Sequence, residues 1–394
     1  MSKKEDTPQC EDSSYWGKLA LEGCDWFVNT QMVQQSPRWD ANHGRFLYNA
    51  HIHSDYKVLG LGWTQARAVM CLLAAYERTK DEKYLESARR GIKYIKILQD
   101  MDSRYPVRYG GFHEETPHSP FSYPRDAMEV TDGLMQWYRK TGDKDALERI
   151  KLFFKWFMRN AIEYFPGFGW WVAGKVLFDP DVGKQTQLLY SCEMGCGTIF
   201  AHAYLLTRRP LYKRFALRIA DQIITHYLPP DKGPLCEKQG KYMSHHTDNK
   251  TGIIFNDDGG GVSLLSAYKL SGRKKYLKAA LQIADYYTAR LEPIPLYSGI
   301  GSVANFLVET WNVTGNHIYR ESAIRYANEL AKLQVKHGKP HVVGAFRGED
   351  EGAENYVKGA KNDEMVTTRV TAYAILTFFK LEGVVWPAGY SPGL

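Results

Sequence analysis

Tyr268-Lys269-Leu270-Ser271-Gly272-Arg273-Lys274-Lys275-Tyr276 sets the frame from which the fold is read. An aromatic residue lies three positions before Ser271, a tyrosine five after it and Ala280 nine after it. The same frame recurs around Thr79 (Tyr76, Tyr84, Ala88), Thr207 (Tyr204, Tyr212, Ala216) and Thr314 (Trp311, Tyr319, Ala323), and in shorter form at Tyr138-Arg-Lys-Thr141-Gly-Asp. A glycine or polar residue at each turn ends one helix. The segment beyond the turn reads as a second helix, with apolar side chains at helical spacing as in Tyr84, Leu85, Ala88, Ile92 and Ile95. Each copy is therefore a helical hairpin, and a repeat of this kind organises the whole chain.

Lys380-Leu381-Glu382-Gly383 matches Lys269-Leu270-Ser271-Gly272, but too little chain lies beyond it to build a second helix. The segment from about Ser13 to Met32, with Trp16, Leu19, Ala20, Cys24 and Phe27 on one stripe, is an amphipathic helix without a hairpin partner. Pairing the two ends gives six hairpins and a closed ring, an all-α (α/α)6 toroid. The expected organisation is one domain over residues 13–383, with an extended or disordered segment at 1–12 and a tail at 384–394. An open solenoid would carry polar caps rather than a half-hairpin at each end.

Composition narrows the class. With 44% hydrophobic and 24% charged residues the chain is ordinary globular protein. It has no run near the roughly 18 to 20 apolar residues of a membrane span. Met1-Ser-Lys-Lys-Glu-Asp has no apolar leader core, so the expectation is a soluble protein, cytoplasmic or exported with its leader removed. Six cysteines form no CxxC pair. A net charge of +7 favours an anionic ligand, the absence of a Lys/Arg cluster argues against nucleic acid, and with no apolar span no membrane partner is expected.

Turns within hairpins are about four residues long, but the connections between hairpins, near 33–61, 101–125, 163–189, 228–256 and 336–364, are long; only 292–299 is short. Long ordered loops in compact domains usually serve function. All lie at the end of the ring where the first helix of each hairpin starts, which leaves the turn face bland. They are rich in aromatics, including Trp39, Tyr48, Tyr56, Trp63, Tyr105, Tyr109, Phe121, Tyr123, Trp170 and Trp171. Aromatic faces stack on the C–H faces of pyranose rings.

Counting back from each anchor locates the first turns of the inner helices: Thr64–Arg67, Asp126–Glu129, Cys192–Gly195, Asn256–Gly259, Gly299–Ser302 and Thr367–Val370. Acids cluster in this register. Asp126, Glu193 and Asp258 are the candidate catalytic groups, because a glycosidic bond is broken by one carboxyl that protonates the leaving oxygen and another that activates water or attacks. Glu129 and Asp257 stand beside them, with Arg67, Arg125, Arg347 and Arg369 as partners for a carboxylate and Trp63, Tyr123 and His53 as further substrate contacts. Any one of these acids alone would be read as a helix cap.

Other motifs are weaker. His51/His53 and His245/His246 are pairs without further ligands, and Cys192/Cys196 is a lone i, i+4 pair, so no metal is expected. Asn256-Asp-Asp-Gly-Gly-Gly261 lacks the Gly-Lys-Ser/Thr end of a phosphate loop, and no cofactor is expected.

Six hairpins with Tyr-x-x-Thr-Gly-Asp turns resemble the six-hairpin glycosidase superfamily, and most of all the unsaturated glucuronyl and rhamnogalacturonyl hydrolases and related toroidal β-glucuronidases. The resemblance implies hydrolysis of a uronic-acid-containing oligosaccharide, with Asp126 where those enzymes carry a catalytic aspartate. The preceding hairpin reads Gly62-Trp63-Thr64-Gln65 without an acid, which leaves ordinary uronide hydrolysis open. The alternatives are a lyase or epimerase that removes the proton beside the uronate carboxylate, with Tyr123, His53 or His113 as base, and a noncatalytic glycan-binding toroid.

Overall fold

The computed structural model describes residues 13–33, 42–165, 169–179, 193–227, 260–291, 293–294 and 296–384. Twelve α-helices occur among them: α1 (Ser13–Thr30), α2 (Gly62–Thr79), α3 (Glu82–Leu98), α4 (Pro124–Thr141), α5 (Lys144–Asn160), α6 (Glu193–Thr207), α7 (Pro210–Gln222), α8 (Gly260–Ser271), α9 (Lys274–Ala289), α10 (Tyr297–Thr314), α11 (His317–Lys332) and α12 (Thr368–Leu381). The first helix of each hairpin packs on the next, in the order α2, α4, α6, α8, α10, α12 and back to α2, and α1 lies against α12. The result is the all-α (α/α)6 toroid, closed by its two ends. No helix among the described residues is long and apolar enough to cross a membrane.

Burial follows from this placement. Inner helices are covered on all sides: every residue of α2 from Gly62 to Ala75 is buried, and every residue of α12. Outer α3 buries Tyr84, Ala88, Ile92 and Ile95, the stripe legible in the sequence. Inner helices also approach closely, so a Cβ on Gly133 of α4 would lie 2.8 Å from the Cβ of Ala66 on α2.

The turn anchors have a physical reason. Each anchor hydroxyl donates to the carbonyl four residues back and accepts from the amide two residues on: Thr79 to Ala75 and from Asp81, Thr141 to Trp137 and from Asp143, Thr207 to Ala203 and from Arg209, Ser271 to Ala267 and from Arg273, Thr314 to Thr310 and from Asn316. The hydroxyl ends one helix and starts the next turn. The residue after each anchor is left-handed. It is glycine at 142, 272, 315 and 383, but Lys80 and Arg208, at φ 61° and 58°, take the same conformation at a cost of about 1 kcal/mol each. At the sixth anchor Glu382 replaces the hydroxyl. It accepts from the Gly17 amide of α1 at 2.6 Å and from Arg78 at 2.8 Å, which ties the last helix to its partner α1 and to α2 of the first hairpin.

A second repeat fastens three of the long loops. Gln31, Gln99 and Gln334 follow outer helices α1, α3 and α11. Each donates its side-chain amide to a glycine carbonyl across its own loop (Gly44, Gly110, Gly344) and to a carbonyl of the next outer helix (Ser87, Arg149, Leu19), at 2.9 to 3.0 Å. All three glycines have φ near +90°, and a phenylalanine two residues on (Phe46, Phe112, Phe346) is wholly buried. Short strands join the loops: β1 (Leu47–His51) pairs antiparallel with β2 (Lys57–Leu59) and with β3 (Met365–Thr367). The loops before α2 and α12 therefore form one sheet over the mouth of the ring.

Candidate active site

Helices α12, α2 and α4 are neighbours in the inner ring, and their first turns meet. Trp63 on α2 is buried and carries two guanidinium groups: Arg125 of α4 lies 5.4 Å from its ring centroid and Arg369 of α12 lies 5.9 Å away. Cations over an indole face gain from its quadrupole. Each arginine also reaches an acid. Arg125 Nη1 donates to Asp126 Oδ1 at 2.7 Å, and Arg369 Nη1 lies 3.8 Å from Glu351 Oε1.

On the α4 side, Glu114 sits in the loop held by Gln99. It is buried, its Oε2 accepts from the Tyr123 amide at 3.3 Å, and its carboxyl pairs with that of Asp126. Burial and the neighbouring Asp126 push Glu114 well above the ordinary glutamate value, toward its neutral form.

On the α12 side, Glu349 is buried in the loop held by Gln334. It accepts from Asn49 Nδ2 at 3.2 Å and from the Glu351 amide at 3.1 Å, yet burial still raises its pKa. Tyr48 of β1 and Tyr356 pack at 6.2 Å between ring centroids, and the Tyr356 hydroxyl donates to Glu351 Oε2 at 3.4 Å. Burial, with Glu349 and Glu351 nearby, raises both phenols, Tyr356 to about 12.

Beneath the mouth the ring interior is polar and, among the described residues, carries three buried ion or charge-assisted pairs. Arg67 Nη2 donates to Glu129 Oε1 at 2.7 Å and its guanidinium stacks 5.1 Å from Tyr373. His202 Nδ1 of α6 donates to Asp132 Oδ1 of α4 at 2.8 Å, and Lys380 pairs with Glu309 near the turn end.

Of the residues singled out in the sequence, Trp63, Arg125, Asp126 and Arg369 converge at the mouth, with Tyr123 at the N-cap of α4. Arg67 and Glu129 lie one turn deeper, buried against each other. His53 is exposed on the β1–β2 loop, its ring 5.6 Å from His51. His113 is buried, donating from Nδ1 to the Ser119 carbonyl at 2.6 Å. Arg347 is half-buried in the loop before α12, its backbone bridged to Val366. Glu193 is the first residue of α6; its side chain, with Asp257, Asp258, His245, His246 and Cys192, lies outside the described residues. Glu114 and Glu349 were not anticipated, because both precede the helix register used to find acids. The signal that finds them is the loop repeat, since Gly110-Gly-Phe-His-Glu114 and Gly344-Ala-Phe-Arg-Gly-Glu349 share the Gln-bound glycine and buried phenylalanine. No group of His, Cys, Asp and Glu among the described residues is arranged to hold a metal ion.

Comparison with known proteins agrees with this fold. The chain is similar over 94% of its length to cellobiose 2-epimerase from Spirochaeta thermophila, with 97% of that chain covered, 13% identity and a TM-score of 0.64. It is similar over 93% to a family 76 mannosidase from Bacteroides thetaiotaomicron, covering 98% of it, with 12% identity and a TM-score of 0.64. An inactive α-1,6-mannanase variant from Salegentibacter sp., solved with α-1,6-mannotetrose, matches over 94% of this chain and 99% of its own, with 13% identity and a TM-score of 0.62. At such identities the likeness is one of fold. A family profile described as D-glucuronyl C5-epimerase C-terminus matches residues 40–169, the span that carries Tyr48, Trp63, Glu114, Arg125 and Asp126. No curated protein matches the chain.

Proposed function

We propose that this protein is a carbohydrate epimerase that inverts C5 of a uronic acid residue within an oligosaccharide or polysaccharide. The observation that carries the reading is the Arg125–Trp63–Arg369 stack with a protonatable group held toward its neutral form on each side, Glu114 beside α4 and Glu349 with Tyr48 beside α12. The C5 hydrogen lies beside the carboxylate and becomes removable only when the charge building on that carboxylate is neutralised. A guanidinium fork suits that task. The Asp126 carboxylate, paired with Arg125, takes the proton from C5, and the electron pair is held as an enediolate against the arginines. The neutral acid on the α12 flank, Glu349 or Tyr48, gives its proton to the opposite face, the two groups resetting by proton exchange with water. No other bond breaks. The profile match over residues 40–169 supports the choice of C5 chemistry, and the loop aromatics suit a sugar chain.

Hydrolysis of a uronide is the second reading, favoured by the Glu114–Asp126 pair, which unites an acid with a second carboxyl as glycoside hydrolysis uses them. Incubating the protein with a glucuronate-containing polymer separates the readings. An epimerase changes the sugar's C5 configuration at constant chain length, a hydrolase releases reducing ends, and a lyase generates absorbance near 235 nm from its new double bond. Reducing ends without inversion would replace the first reading by the second.

A further inference from the structure

The turn face at hairpins three and four (α6/α7 and α8/α9) is strongly basic. Residues 194–221 and 260–285 hold ten lysines and arginines against two acids, Asp221 and Asp285, an excess larger than the net charge of +7 on the whole chain. Asp221 is paired with Lys275 and Asp285 accepts from the Tyr319 hydroxyl. The two segments lie far apart in the chain and neither is a basic run alone. The ring sets them side by side, α7 and α6 against α8, with both turns at the same end. Arg208, Arg209 and Arg214 of one hairpin and Arg273, Lys274 and Lys278 of the other are exposed. Leu211 and Ile318, each one residue before the tyrosine of its own hairpin, project among and beside them at 41% and 47% exposure. Arg208 holds the left-handed turn position that glycine fills at 142, 272, 315 and 383 and that Lys80 fills in the first hairpin.

We infer that this face docks the protein onto an anionic lipid bilayer. Cations interspersed with protruding aliphatic tips suit headgroups and the acyl boundary beneath them. A glycan would instead be met by a cleft with aromatic platforms, as at the mouth. Docked in this way, the mouth at the opposite end opens toward solvent and a polymeric substrate.

The test is co-sedimentation of the full chain with phosphatidylcholine vesicles with and without phosphatidylglycerol. Binding is expected only to the anionic vesicles, with release at about 1 M salt, where screening is nearly complete. Substituting Arg209→Gln, Arg273→Gln and Lys274→Gln together should lower the partition coefficient by roughly 100-fold, given the contribution of each cation near such a surface. Arg208→Gly is the folding control. It should weaken binding by about fivefold while its melting temperature stays level or rises. Equal binding to both vesicle types, binding to neither, an unchanged partition for the triple variant, or retention on heparin without vesicle binding would each overturn the inference.

Discussion

Glu114 and Asp126 form a carboxyl pair at the mouth, in which burial and the neighbouring Asp126 raise Glu114 well above the ordinary glutamate value. A loop and a helix start supply the two members, and the Gln99 amide fixes that loop to α5. The pair is thus built from parts that the fold holds independently.

This relationship sets a pH dependence. Glu114 is raised above its ordinary value of 4.5, so between that value and its native value the folded protein keeps a proton that the unfolded chain has lost. Stability contributed by this group is full below about pH 4.5 and is lost as pH rises through the native value. Glu129 and Glu349 are raised by burial and act in the same direction. Chemical denaturation of wild type and Glu114→Gln between pH 4 and 8 should show a smaller decline for the variant. A steeper decline would contradict a raised Glu114.

Asp126→Asn and Glu114→Gln should each lower kcat by about 100-fold or more, the low end for loss of a proton-transfer group, with unfolding little changed. Glu129→Gln should do the opposite. It withdraws the carboxylate that neutralises buried Arg67 and should cost about 3 kcal/mol of stability, read from denaturant midpoints. Similar stability losses at all three positions would reduce Asp126 and Glu114 to structural acids.

Arg125→Lys and Arg369→Lys keep the charge but lose the planar fork over Trp63. Each should reduce kcat/KM on a uronide by about 10-fold, in line with the loss of a charged hydrogen bond. Equal activity on a neutral glycoside analogue by the wild-type protein would contradict a role for these arginines in carboxylate binding.

Two glycine substitutions separate backbone strain from crowding. Gly142→Ala meets nothing within 4 Å and should cost about 1 kcal/mol for its left-handed turn. Gly344→Ala would also place a Cβ against the Glu22 carbonyl oxygen, so it should cost about 3 kcal/mol or more, the larger effect in thermal unfolding. Equal effects would mean that the loop tied by Gln334 relaxes freely.

The ring was legible in the sequence because its signal is local. A hydroxyl that bonds four residues back and two residues on must recur at every turn, and the half-hairpins Ser13–Thr30 and Thr368–Leu381 had only each other as partners. Asp126, Arg125 and Arg369 were legible for the same reason, as first-turn positions counted from an anchor. Glu114 and Glu349 were not, since loop residues have no helical register, and the glutamine ties that position them join residues about ten apart without a hydrophobic period. Trp63 was anticipated as a sugar contact, but its place between two guanidiniums depends on which inner helices adjoin. The turn face was expected to be bland because its cations are divided between two distant hairpins.

The most direct test is solvent deuterium incorporation at C5. When the protein acts on a glucuronate-containing polymer in D2O, NMR should show loss of the C5 proton signal from the sugar and appearance of the C5-inverted residue, with chain length constant. Arg125→Lys and Glu114→Gln should slow that exchange with the same protein fold. Retention of the C5 proton while the polymer is shortened would contradict C5 chemistry and assign the Glu114–Asp126 pair to hydrolysis.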